Sequence, residues 1–139
     1  MGPVSATGSA GMEATIVNTV GSGDTIVIGV NGVFGSRMCD VASRCGAEVV
    51  RVDVEWGRAI DPQALLDAHP SPKVIAVVHA ETSTGVLQPL KDLGMLAHDN
   101  DALFLADTVT SLGGSPINFD DIDIDFAYSA TQKCLGSPP

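Results

Sequence analysis

Two short runs constrain the fold more than anything else in these 139 residues: Thr25-Ile26-Val27-Ile28-Gly29-Val30 and Lys73-Val74-Ile75-Ala76-Val77-Val78-His79. Each is continuously apolar and rich in β-branched side chains instead of alternating with polar ones, so a strand built from it must be covered on both faces. Strands of that kind belong to parallel sheets, in which consecutive strands are joined by crossovers, usually helical. The rest of the chain supplies both parts. Further strands are expected at 48–52, 102–106 and 124–129, and helices at about 10–20, 35–46, 62–68 and 89–99. The expected fold class is α/β, a mostly parallel sheet with helices on both faces.

Local signals punctuate that reading. Ser9 is a cap residue for the first helix, which ends at the turn Gly21-Ser22-Gly23-Asp24. Asp61-Pro62 pairs a cap with a proline at the first helical position, and Gln88-Pro89 reads in a similar way. No repeat or low-complexity stretch divides the chain, and 45% hydrophobic residues suffice for a single core. Both ends look abrupt, so a piece of a longer protein is expected.

Charge and cysteine content exclude several function classes. Seven basic against seventeen acidic residues leave a net charge of −10, which opposes nucleic-acid binding and docking on anionic lipid. No apolar run approaches the roughly 18–20 residues of a membrane-spanning helix. The first residues lack the basic and apolar regions of a secretory signal. Cys39, Cys45 and Cys134 lack metal-ligand spacing and read as buried thiols of a reducing compartment. A soluble intracellular domain is expected, with no metal, no nucleic acid and no membrane.

Four segments place polar groups at strand ends, where open α/β sheets bind ligands. Ser5-Ala6-Thr7-Gly8-Ser9-Ala10-Gly11 opens a helix. Its backbone N–H groups, its glycines and the hydroxyls of Thr7 and Ser9 suit a phosphate, although an ordinary capped turn has the same composition. His79-Ala80-Glu81-Thr82-Ser83-Thr84-Gly85 follows the third strand. It reads as a ligand-orienting loop or a plain one, His79 as a core histidine, and the pair His79 and Glu81 as too few ligands for a metal. Asp107 ends the fourth strand and needs a partner: a backbone amide, Ser111 or a cationic ligand atom. Lys133, after the fifth strand, is a surface residue or a Schiff-base amine. Elsewhere, Asp120, Asp121, Asp123 and Asp125 alternate with Ile122, Ile124 and Phe126 as in a strand with one wetter edge, and Trp56 reads as a loop anchor on the sheet.

Taken together these segments resemble the class V pyridoxal-phosphate-dependent aminotransferases, and within them the alanine–glyoxylate and serine–pyruvate group. The resemblance rests on the glycine and hydroxyl turn, on Gly32-Val33-Phe34-Gly35, on Thr82-Ser83-Thr84-Gly85-Val86-Leu87-Gln88-Pro89-Leu90, on Asp107-Thr108-Val109-Thr110-Ser111-Leu112-Gly113-Gly114 and on Gln132-Lys133. It implies pyridoxal 5′-phosphate as cofactor, with Thr7, Gly8, Ser9 and Gln132 at the phosphate. Phe34 and Val109 would lie against the two ring faces, Thr82 near the phenolic oxygen and Asp107 at the ring nitrogen. Lys133 would be the Schiff-base lysine and the catalytic acid and base. It implies amino-acid and 2-oxo-acid substrates, a homodimeric full-length form and a sheet in the order 2-1-3-4-5. Residues 1–139 would then be the central part of the cofactor-binding large domain, with the N-terminal segment and the C-terminal small domain absent. The implied compartment is the cytoplasm, or the peroxisome in a eukaryote. Other functions in play are a further class V reaction such as aminoethylphosphonate transamination, a non-catalytic fragment, and a nucleotide-binding module without covalent catalysis.

Overall fold

A computed structural model describes residues 2–138. Five parallel strands form the sheet: β1 (Thr25–Val30), β2 (Glu48–Asp53), β3 (Val74–Val78), β6 (Leu103–Asp107) and β7 (Phe126–Tyr128), in the order β2-β1-β3-β6-β7. This is the expected 2-1-3-4-5 order. The three central strands carry the apolar runs. β3 is buried along its whole length, whereas β2, at one edge, alternates between half-buried and exposed positions. A two-stranded antiparallel ribbon, β4 (Ala80–Glu81) with β5 (Val86–Leu87), stands apart from the sheet.

Each sheet face carries its own core, as the period-two alternation of strand side chains requires. On one face Ile26, Ile28, Val74, Ala76 and Leu105 meet α1 (Gly8–Thr19) and α2 (Val33–Arg44). α1 contributes Met12 and Ile16, and α2 contributes Met38, Cys39 and Ala42. These are i, i+3 and i+4 positions, the stripe by which a helix covers a sheet. On the other face Val27, Ile75, Val77, Phe104 and Ala106 meet Leu65 of α3 (Pro62–Asp67) and Leu93 and Ala97 of α4 (Leu93–His98). Asp61 caps α3 as expected, its carboxylate accepting from the Gln63 N–H at 3.0 Å. None of the described helices is long and apolar enough to cross a membrane.

Several expectations are corrected. The first helix begins at Gly8 behind Thr7, not behind Ser9, and no side chain caps it. Gln88-Pro89 does not open the fourth helix, which starts at Leu93 after Asp92 turns the chain through a left-handed conformation (φ 69°). Gln88 is instead buried, its side chain accepting from the Ile60 N–H at 2.7 Å and donating to the Ile60 carbonyl at 3.0 Å. That pairing satisfies both polar groups of a loop residue otherwise sealed in the core. The acidic run is a helical turn, α5 (Phe119–Ile122), and not the start of a strand. Asn118 caps it, Asp120 and Asp121 suit its N-terminal end, and Asp123 closes it at φ 56°. Trp56 is 59% exposed and anchors nothing on the sheet. Of the cysteines only Cys39 is buried. Cys45 is partly covered, and Cys134 is exposed, its thiol donating to the Thr110 carbonyl at 3.2 Å.

Candidate active site

The strand order brings the C-terminal ends of β1, β3, β6 and β7 together beside the N-terminus of α1. Between them lies a cavity of about 180 Å³. All nine residues singled out from the sequence line it: Thr7, Gly8 and Ser9 from the start of α1, Phe34 from the first turn of α2, Thr82 after β3, Asp107 and Val109 after β6, and Gln132 and Lys133 after β7. Met12, Val78, Ala80 and Thr110 complete the wall and were not anticipated. Met12 and Val78 read as core residues in the sequence, because their types and spacing carry no polar signal.

The α1 end of the cavity is built to receive negative charge. No side chain caps the helix, which leaves its first N–H groups and the positive end of its dipole open. Gly8 is buried and lies flush against the far wall, where a Cβ would sit 2.8 Å from a methyl group of Val109. Only a bare Cα allows the helix to start that close. The hydroxyls of Thr7 and Ser9 stand at the same end.

At the β6 end Asp107 is 4% exposed. One carboxyl oxygen accepts from the Val109 N–H at 2.9 Å and the other from the Tyr128 hydroxyl at 2.9 Å. The backbone partner was anticipated. Ser111, a second candidate, is not a partner, and its own buried hydroxyl has none among the described residues. Burial pushes the Asp107 carboxyl up to about 6, with the neighbouring charge of Glu81 adding to the rise, while the two hydrogen bonds oppose it. Tyr128 is driven well above its ordinary range by burial and by Asp107. Tyr128 was read only as a strand residue. The signal that could have found it is the need of a buried carboxylate for a donor.

Phe34 and Val109 both pack against the α1–α2 core and both reach the cavity, giving it two apolar walls. Thr82 shares a 2.8 Å hydrogen bond with Thr110. Glu81 does not line the cavity: it is buried against the start of α2. His79 is buried on its way out of β3, where desolvation lowers its basicity. Among the described residues no three His, Cys, Asp or Glu side chains gather into a metal-ligating group.

The chain is 40% identical to an uncharacterized aminotransferase of Methanocaldococcus jannaschii over 98% of its own length and 36% of that protein's. It is 38% identical to the (S)-ureidoglycine–glyoxylate transaminase of Bacillus subtilis, covering 98% of the chain and 33% of the relative. The crystal structure of an alanine–glyoxylate aminotransferase from Nostoc sp. superposes with a TM-score of 0.93 at 50% identity, over 97% of this chain and 37% of that one. The chain thus spans about a third of the length of the curated relatives it matches. A family model for class-V aminotransferases matches residues 4–138, and the chain belongs to that family.

Proposed function

We propose that the cavity holds pyridoxal 5′-phosphate and that the chain is the central part of the cofactor-binding large domain of a transaminase. The single observation that carries this reading is the convergence, on one cavity, of an uncapped helix N-terminus, a buried acid and a primary amine: α1, Asp107 and Lys133. Each fits one part of the cofactor. The open N–H groups of α1, with Thr7, Ser9 and Gln132, hold the phosphate. Phe34 and Val109 would lie against the two faces of the ring, and Thr82 would serve its phenolic oxygen.

When bound, the cofactor supplies an electron sink for the substrate's Cα. Asp107 would pair with the ring nitrogen and hold a proton there, as a buried carboxylate stabilises a cation beside it. Lys133 would supply the amine that holds the cofactor through its aldehyde carbon. The same amine would carry a proton to or from the reacting carbon of the substrate. The proposed substrates are alanine or serine as donor and glyoxylate or pyruvate as acceptor. The relatives named for ureidoglycine–glyoxylate and alanine–glyoxylate transamination share glyoxylate, which supports that acceptor. The whole protein is proposed to act as a homodimer in the cytoplasm.

The test loads the chain with cofactor, alone and extended at both ends to the length of its relatives, and mixes it with alanine. Loss of the visible band with one pyruvate released per bound cofactor, reversed by glyoxylate, is the expected result for the extended chain. A loaded extended chain that alanine and serine leave unchanged contradicts the reading. The chain alone then shows whether residues 1–139 suffice for turnover.

A further inference from the structure

The segment Glu81-Thr82-Ser83-Thr84 is divided by its own alternation. Thr82 reaches the cavity, whereas Glu81 and Ser83 reach the start of α2. One carboxyl oxygen of Glu81 accepts from the N–H groups of Phe34 at 3.1 Å and Gly35 at 3.2 Å. The other accepts from the Ser83 N–H at 3.2 Å and the Ser83 hydroxyl at 2.6 Å, and that hydroxyl accepts from the Val33 N–H at 2.9 Å. The first three N–H groups of α2 are therefore satisfied from another part of the chain. The helix's own N-cap, Gly32, has no side chain and no room for one: a Cβ there would lie 2.4 Å from the Glu81 carboxyl carbon. Every contact to the carboxyl comes from a donor, and the helix N-terminus favours a negative group.

We propose that Glu81 is a positioning residue of the cofactor cavity, clamping the start of α2 so that Phe34 stays at the wall and bringing a negative charge to bear on Asp107. The charge half of this inference rests on the cofactor reading for its purpose, which is to strengthen the hold of Asp107 on a protonated ring nitrogen. The charged and titratable groups around Asp107 are Tyr128 from β7, Lys133 from the segment after it, and Glu81 from β4. Of these, Glu81 is the one whose charge pushes the Asp107 carboxyl upward in concert with burial.

The test follows side-chain carboxyl carbons by NMR as a function of pH in the chain without cofactor, comparing wild type, E81Q and S83A. In E81Q the new amide oxygen still accepts from Phe34 and Gly35, the charge is gone, and the amide NH2 replaces the oxygen that accepts from Ser83; S83A, which disturbs that contact and keeps the charge, is its control. Asp107 is expected to titrate near 6 in wild type and in S83A, and measurably lower in E81Q. An unchanged Asp107 titration in folded E81Q overturns the proposal. Should E81Q not fold, wild type decides alone. An Asp107 carboxyl that titrates there at the ordinary 3.8 overturns the proposal. Borohydride trapping of pyridoxal phosphate, run on the same samples, separates the two claims. A chain that is not trapped while E81Q still lowers Asp107 removes the cofactor reading and leaves the electrostatic one standing.

Discussion

Asp107→Asn is expected to make the cofactor-free chain more stable at pH 7 while cutting amino-group transfer in the loaded extended protein by about 100-fold or more. Both effects come from one buried charge. The carboxyl titrates at about 6 in the folded chain against 3.8 for the ordinary group. Between those values the folded state holds a proton that the unfolded state has released, so stability falls as pH rises through that window. Below about 4 the carboxyl is neutral in both states and the cost vanishes. Above about 6 it is complete, on the order of 3 kcal/mol. Asparagine accepts from the Val109 N–H and can donate to Tyr128 without carrying that charge. The mutant is therefore expected to gain about 1–3 kcal/mol at pH 7 and to lose the wild-type fall in stability between pH 4 and 6. Denaturant titrations of the two proteins at pH 4 and 7 check it. Equal stability differences at both pH values would show that Asp107 is not the group under strain. A transfer rate within a few-fold of wild type would remove its assigned role.

Gly94→Ala is the second large effect. Gly94 lies in α4 against α5, and a Cβ there would fall 1.9 Å from the Ile122 carbonyl oxygen and 2.5 Å from that of Asp123. Both are backbone atoms with little freedom. Ile124 donates to the Phe119 carbonyl at 3.1 Å, and Asp125 donates to that of Phe104 at 3.1 Å. The Asp125 carboxylate ties down the same turn, accepting from the Phe104 N–H and meeting His98 Nε2, each at 2.7 Å. Either α4 lifts from Phe104 or the turn opens. The expected loss is about 3 kcal/mol, larger than the ~1 kcal/mol by which alanine favours a helix over glycine. In a thermal melt this is a fall of about 10 °C. Gly21→Ala is the control, since nothing lies within 4 Å of a Cβ there, and it is expected to stay within about 0.5 kcal/mol of wild type. Equal melting of the two variants would contradict the packing of α4 on α5.

How much of this was legible depended on whether a signal was local. β1 and β3 could be read because unbroken β-branched runs have no other economical home, and Asp61-Pro62 could be read because capping is settled within one turn. Gln88-Pro89 carried the same kind of signal and misled, because the Gln88 side chain is spent on Ile60, 28 residues away. The β4–β5 ribbon has two residues per strand, too few to show any period. The acidic run alternated like a strand, but Asn118 as cap and Asp123 in a left-handed conformation closed it into a turn. At the site, the polar residues could be named one at a time from their positions after strands. Their meeting in one cavity depends on strand order, which the family resemblance supplied and composition did not. Tyr128 and the true direction of Glu81 stayed hidden because both act through partners distant in sequence.

The most direct test of the central claim is where pyridoxal phosphate attaches. The chain has three lysines, Lys73, Lys91 and Lys133. After incubation with the cofactor and reduction with borohydride, peptide mass spectrometry locates the label. One reduced pyridoxyl group per chain on the Lys133 peptide, lost in Lys133→Ala, is the result expected of the cavity described above. Label spread evenly over Lys73, Lys91 and Lys133, or undiminished in Lys133→Ala, would contradict it.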